Sequence, residues 1–243
     1  MLETPDAMDL LADDGLPMAQ RSSEGVARLI RKAILDGRLQ PGQPLRERAL
    51  AEELGISRTP IREALFILHG EGLIDLIPNR GATVRTITAT DVAEIYALRA
   101  VLESHAAATA AEHVTDADLA RLEEAYARLE RIGDHGSAHE QADADLQLHA
   151  AIAQATGNQL LRTMIGQVHA FTVTYRSQYP YSPEQVRRAN VQHRAIIDAL
   201  RDNDAKRAEE LMREHVSWSR ELALAHFSEG DPAGPSARPL PAG

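Results

Sequence analysis

From Thr90 to the region of Phe227 the chain places apolar residues three and four positions apart almost without interruption. Ile95, Leu98 and Leu102 stripe a segment opened by Thr90 and Asp91. Leu119, Leu122, Tyr126, Leu129 and Ile132 stripe the next, which Thr115 or Asp116 opens and Gly133 ends. Further segments run over about 138–156, 159–179, 183–201 and 205–227. Amphipathic helices joined by short turns can bury their stripes only against one another, so the pattern predicts an all-α bundle of six or seven helices over residues 88–228.

The preceding stretch reads differently. A helix starts near Ser22 or Ser23 with Val26, Leu29, Ile30, Ala33 and Ile34 on one face, and Gly37 ends it before a turn over 40–44. A second short helix carries Leu45, Ala49, Leu50 and Leu54 and closes at Gly55. Ser57 or Thr59 can cap a third, Pro60 suits its first turn, and Arg58 and Arg62 lie one turn apart on one face. Two β-rich runs, 73–77 and 82–86, then flank the turn Pro78-Asn79-Arg80-Gly81. Three helices followed by a hairpin make a winged helix-turn-helix over residues 21–87. In that arrangement the third helix enters the DNA major groove, and the wing, with Arg80, Gly81 and Arg85, meets the backbone or minor groove. His69 is a further candidate for phosphate contact. The expected fold class is therefore mainly α, with the bundle following the winged domain. Residues 1–20 and 229–243 read as a disordered arm and tail.

Charge supports this division. The net charge of −10 argues against nucleic acid, but residues 21–85 carry eleven bases and eight acids and form the only net-positive segment. No cysteine is present, so disulfides and thiolate metal sites are excluded and a transition metal would need His, Asp or Glu. No apolar run reaches membrane-spanning length and the N-terminus lacks the pattern of a secretory signal; the chain is expected to be soluble and cytoplasmic, without a membrane partner.

Asp145 and His149 are one turn apart on a stripe continued by Ile152. His193 shares a face with Ile196, Ile197 and Leu200, and His215 with Leu211, Trp218 and Leu222. On one continuous helix His193 and His215 would be roughly 33 Å apart, but the turn Asp202-Asn203-Asp204 folds the chain back between them. Each of the three histidines then falls roughly 12–16 Å from a turn, near mid-bundle. An unpaired buried carboxylate is costly, whereas a cation held by it and three imidazoles would satisfy all four. The competing reading makes these core histidines bonded to neighbours, with Asp145 paired to an arginine such as Arg162 or Arg176. His105 and His169 also fall on partly apolar faces.

The run from Pro41 to Ala51, then Leu54-Gly55-Ile56-Ser57-Arg58-Thr59-Pro60-Ile61-Arg62-Glu63-Ala64-Leu65 and Glu71-Gly72-Leu73-Ile74, resembles the N-terminal domain of GntR-family bacterial transcription regulators. The resemblance implies that Arg48, Arg58 and Arg62 contact DNA, that Ser57 and Thr59 bind phosphate, and that Gly81 lies at the wing tip. Asp145-x-x-x-His149 with Thr156-Gly157-Asn158, then His193-Arg194-Ala195-Ile196, and His215 resemble the metal-binding helical effector domain (FCD type) of the FadR subgroup. It implies Asp145, His149, His193 and His215 as ligands of a divalent transition metal: zinc, with nickel and manganese as alternatives. It also implies Arg99 as the partner of an effector carboxylate on a small organic acid. Leu148 departs from the phenylalanine often found there.

The leading expectation is a homodimeric regulator, not an enzyme, that reads a palindromic operator in double-stranded DNA and responds to a small organic acid. Its rivals are a metalloenzyme acting on a small carboxylate, and a DNA-binding protein whose bundle serves only to dimerise.

Overall fold

Residues 22–35, 38–78, 81–133, 135–177, 179 and 181–230 are described by the computed structural model. The arm at 1–20 and residues 231–243 of the expected tail lie outside them, as does Arg80.

The N-terminal head begins with α1 (Ser23–Leu35), which buries Val26, Ala27, Ile30, Ala33 and Ile34 on one face against the third helix. β1 (Pro44–Leu45) leads into α2 (Glu47–Leu54), and α3 (Arg58–Gly70) is followed by β2 (Ile74–Ile77) and β3 (Gly81–Val84). The sheet runs β1-β3-β2, all antiparallel, with Ile74 opposite Val84 and Ile77 opposite Gly81. Leu45 was expected in the second helix but stands in β1 opposite Ala82. The extended backbone there brings Leu45 fully into the core with Ile30, Ile61 and Val84, and proline is tolerated on such an edge strand. Gly81 has φ +95°, and a Cβ there would lie 2.7 Å from the Leu45 carbonyl oxygen. Only glycine lets β3 approach β1 so closely.

The bundle comprises α4 (Ala89–His113), α5 (Asp116–Ile132), α6 (Ala138–Ala155), α7 (Gln159–Arg176), α8 (Pro183–Arg201) and α9 (Ala205–Gly230). α4 packs along α9 and also touches α6, α7 and α8, so its buried face is shared by most of the bundle. Thr88, Thr115, Ser137 and Ser182 open their helices with reciprocal capping boxes to Asp91, Asp118, Glu140 and Gln185. Thr88, rather than Thr90, is therefore the first cap: it is extended, accepts from the Asp91 N–H, and receives Asp91 in return. α7 ends at Arg176 instead of Tyr179 because Pro180 disfavours helical backbone before it. α9 reaches Gly230, into the stretch expected as tail.

Head and bundle meet where Phe171 of α7 rests on Gly72. That glycine has φ +74°, and a Cβ on it would come within 1.7 Å of the Phe171 ring. The Arg85 guanidinium sits 5.6 Å from the same ring centroid and donates to Asp91 at the start of α4 at 2.8 Å. Among the described residues no helix is long and apolar enough to cross a membrane.

Candidate metal centre and DNA-reading surface

Asp145 and His149 project from α6, His193 from α8 and His215 from α9, and all four are buried. One ligand atom from each lies within 4.8 Å of all the others. His193 Nε2 is central: 3.3 Å from His149 Nε2, 3.1 Å from His215 Nε2 and 3.4 Å from Asp145 Oδ1. Atoms bonded at about 2.1 Å to one cation sit about 3.0–3.4 Å apart on neighbouring vertices, so these spacings suit a shared ion.

The hydrogen bonds facing away from this point fix what the rings present to it. His149 Nδ1–H donates to Glu103, and His215 Nδ1–H donates to the Gln192 side-chain oxygen at 2.9 Å. Both rings therefore turn an Nε2 lone pair inward. Burial pushes His193 down to about 4 and His215 well below the usual imidazole value, with the neighbouring imidazoles adding to the effect on His215. Burial would raise Asp145, but Arg176, ahead of the imidazoles, holds its carboxyl below the usual range. A carboxylate and three imidazoles thus crowd around one point, with His149 Nε2, His215 Nε2 and Asp145 Oδ1 all facing His193 Nε2. That donor set fits a divalent cation of the imidazole-binding kind.

The pairing of Asp145 with an arginine is also present: Arg176 Nη1 donates to Oδ2 at 3.3 Å while Oδ1 faces His193. Arg162 is exposed and bonds Gln159 instead. Arg99, the expected effector contact, is fully buried and gives Nε to Glu103 at 2.7 Å. Its Nη1 has no hydrogen-bond partner among the described residues, nor do Arg176 Nε, Tyr96 OH and Tyr181 OH. These groups form one cluster, Arg99 lying 4.9 Å from the Tyr96 centroid and Arg176 3.5 Å from that of Tyr181. It is a buried cluster rich in donors that lack an acceptor. His105 is exposed, and His169 bonds Glu103 at 3.1 Å.

On the head, Arg48, Ser57, Arg58, Thr59 and Arg62 are all exposed. Arg46, Arg48, Arg58, Arg62, Phe66 and Gly81 line part of a cleft of about 680 Å³ between α3 and the wing. Ser57 holds the N-cap position of α3 without a side-chain cap bond, so its hydroxyl is not engaged by the helix. Arg48 pairs with Glu52 at 2.8 Å. His69 bonds the Ile74 carbonyl at 3.0 Å and braces the start of the wing.

Residues 22–84 match the model described as bacterial regulatory proteins, gntR family, and residues 94–217 match the FCD domain. The chain belongs to the GntR family. Among GntR-family relatives it is 30% identical over 230 residues to the Glc operon transcriptional activator of Escherichia coli, covering 85% of this chain and 89% of that one. It is 28% identical over 217 residues to the HTH-type transcriptional regulator LutR of Bacillus subtilis, covering 81% and 98%. A GntR transcriptional regulator from Rhodococcus sp. RHA1 superposes with TM-score 0.72 at 26% identity, covering 84% of this chain and 97% of that one. This GntR-family chain is therefore a DNA-binding transcription regulator with an FCD effector-binding domain.

Of the site residues in this GntR-family bundle, the sequence did not single out Glu103 and showed the role of Arg176 only in part. Glu103 accepts from Arg99, His149 and His169, and these partners, Arg99 foremost, override burial and hold its carboxyl well below the usual range. The signal was present: Tyr96, Arg99 and Glu103 repeat at three and four on α4, a polar interruption of its buried face. Arg176 was legible only as a partner for Asp145. Its position beside Arg99 depends on how α4 and α7 pack.

Proposed function

We propose that this regulator works as a homodimer on a palindromic operator, and that a small organic acid bound beside a divalent metal sets its operator affinity. Asp145, His149, His193 and His215 hold the metal, zinc ahead of nickel or manganese. The observation that carries this reading is the inward convergence of three Nε2 atoms whose rings at 149 and 215 are tied outward through Nδ1. Protein bonds alone leave those lone pairs facing each other. A bound cation would supply the positive, Lewis-acidic position toward which an acid's carboxylate turns. Arg99 Nη1 and Arg176 Nε, with the hydroxyls of Tyr96 and Tyr181, supply donors for the remaining oxygens.

Dimerisation is supported by an apolar surface on two helices that pack side by side. On α4, Leu98 and Val101 are 54% and 69% exposed; on α7, Leu160 and Met164 are 70% and 46% exposed. A second copy would cover this face, and a twofold protein reads a twofold sequence.

The test is a thermal-shift series on protein purified without chelator or a nickel column, with and without zinc, across small carboxylates. Zinc should raise Tm in the wild type and leave His193→Ala unmoved. An acid that raises Tm further should also change affinity for an operator selected from random DNA. Protein that carries no ion, gains nothing from zinc and binds its operator equally with every acid would refute the proposal.

A further inference from the structure

Glu47 stands first in α2, at the floor of the cleft between α3 and the wing. Its carboxylate accepts two bonds from Arg62, at 3.0 Å from Nε and 2.9 Å from Nη2, and one from Arg58 Nη2 at 3.1 Å. The Glu47 side chain is 19% exposed, whereas those of Arg58 and Arg62 are 61% and 56% exposed. One mostly covered carboxylate therefore gathers both guanidiniums from below and leaves their outer N–H groups free. Arg62 foremost holds the Glu47 carboxyl below its usual range, so it remains charged near neutrality.

We infer that Glu47 is a specificity-determining positioning residue for DNA reading. It fixes the two guanidiniums in one orientation toward the base edges and cancels part of their charge. Guanine recognition needs a guanidinium held in the plane of the base, where orientation matters most. Phosphate attraction needs only positive charge and tolerates any orientation. The carboxylate thus favours operator binding over attraction to arbitrary duplex. Without it both arginines become mobile, uncompensated cations, better suited to phosphate than to bases.

The experiment compares full-length wild type, Glu47→Gln and Glu47→Asp on two duplexes across a salt series. One duplex is selected from a random library by the wild-type protein; the other is scrambled at the same length and composition. Glu47 is not part of the head's apolar core, and melting curves check that each variant is folded. For Glu47→Gln the preference for the selected over the scrambled duplex should fall about tenfold. Binding to the scrambled duplex should strengthen, with its log–log salt slope steeper by about 1. Glu47→Asp keeps the charge but loses reach, so its slope should stay as in the wild type while its preference falls. Equal weakening on both duplexes with unchanged slope would reduce Glu47 to a structural role and overturn the inference. So would an unchanged preference in the glutamine variant, or loss of folding in both variants.

Discussion

Removing the Glu103 carboxylate would leave Arg99 as a buried cation without its ion-pair partner and His149 without its outward tether. Breaking such a pair on one side costs about 3–5 kcal/mol, so Glu103→Ala should lose about that much in urea unfolding. At the proposed metal site, Glu103→Gln should bind zinc about 10–100-fold more weakly, because a neutral amide oxygen accepts from His149 Nδ1–H less strongly than the carboxylate does. The imidazoles also set a pH dependence. His193, at about 4 when folded, binds its proton far less readily than in the unfolded chain, where its value is 6.5. The unfolded state therefore takes up protons first as pH falls. Stability is full above about pH 6.5 and lost as the pH drops toward 4, and His215 contributes with the same sign. Thermal melts in chelator at pH 7.5, 6 and 5 should show Tm falling with pH. At this scale the sequence exposed residues by their faces. Asp145, His149, His193 and His215 were readable because each interrupts an apolar stripe. Glu103 was hidden because an Arg–Glu pair at i,i+4 is also the pattern of a solvated helix surface.

At the scale of elements, helix boundaries were legible wherever a capping residue stood before a periodic run. All six bundle helices appeared at the expected places within a few residues. β1 was not legible. A two-residue strand has no periodicity, and its position is decided by β3, which lies beyond two intervening helices. The Gly81 requirement has the same long-range origin: the clash a Cβ would make is with the Leu45 carbonyl. The Gly72–Phe171 contact yields a prediction of its own. Gly72→Ala must adopt a left-handed backbone and push the Phe171 ring aside, so it should cost about 1–3 kcal/mol in unfolding experiments. Phe171→Ala, which removes the ring but keeps the glycine, should restore part of the loss in the double variant.

Across the whole molecule, the polarity between a basic head and an acidic remainder was readable from charge alone, and the structure adds which faces are left without cover. Val101→Asp places a charge in the centre of the exposed α4 face without touching a buried residue. For the proposed homodimer, this should shift the protein to monomer in sizing by light scattering. It should also weaken operator binding by at least tenfold, since each half-site would be bound alone. A dimer that persists in Val101→Asp and Leu98→Asp together would move the interface elsewhere.

The seat of Phe171 on Gly72 also bears on how such regulators can be recombined. Head and bundle are separate in sequence, which invites exchanging one reading head for another at the connecting segment near Ile87. The joint, however, is divided between the two parts, with the glycine on one side and the phenylalanine on the other. A transplanted head fits this bundle only if it brings a glycine after its third helix and an arginine in place of Arg85. Chimeras chosen for that pair should be soluble where others fail, which makes position 72 a compatibility mark for grafting.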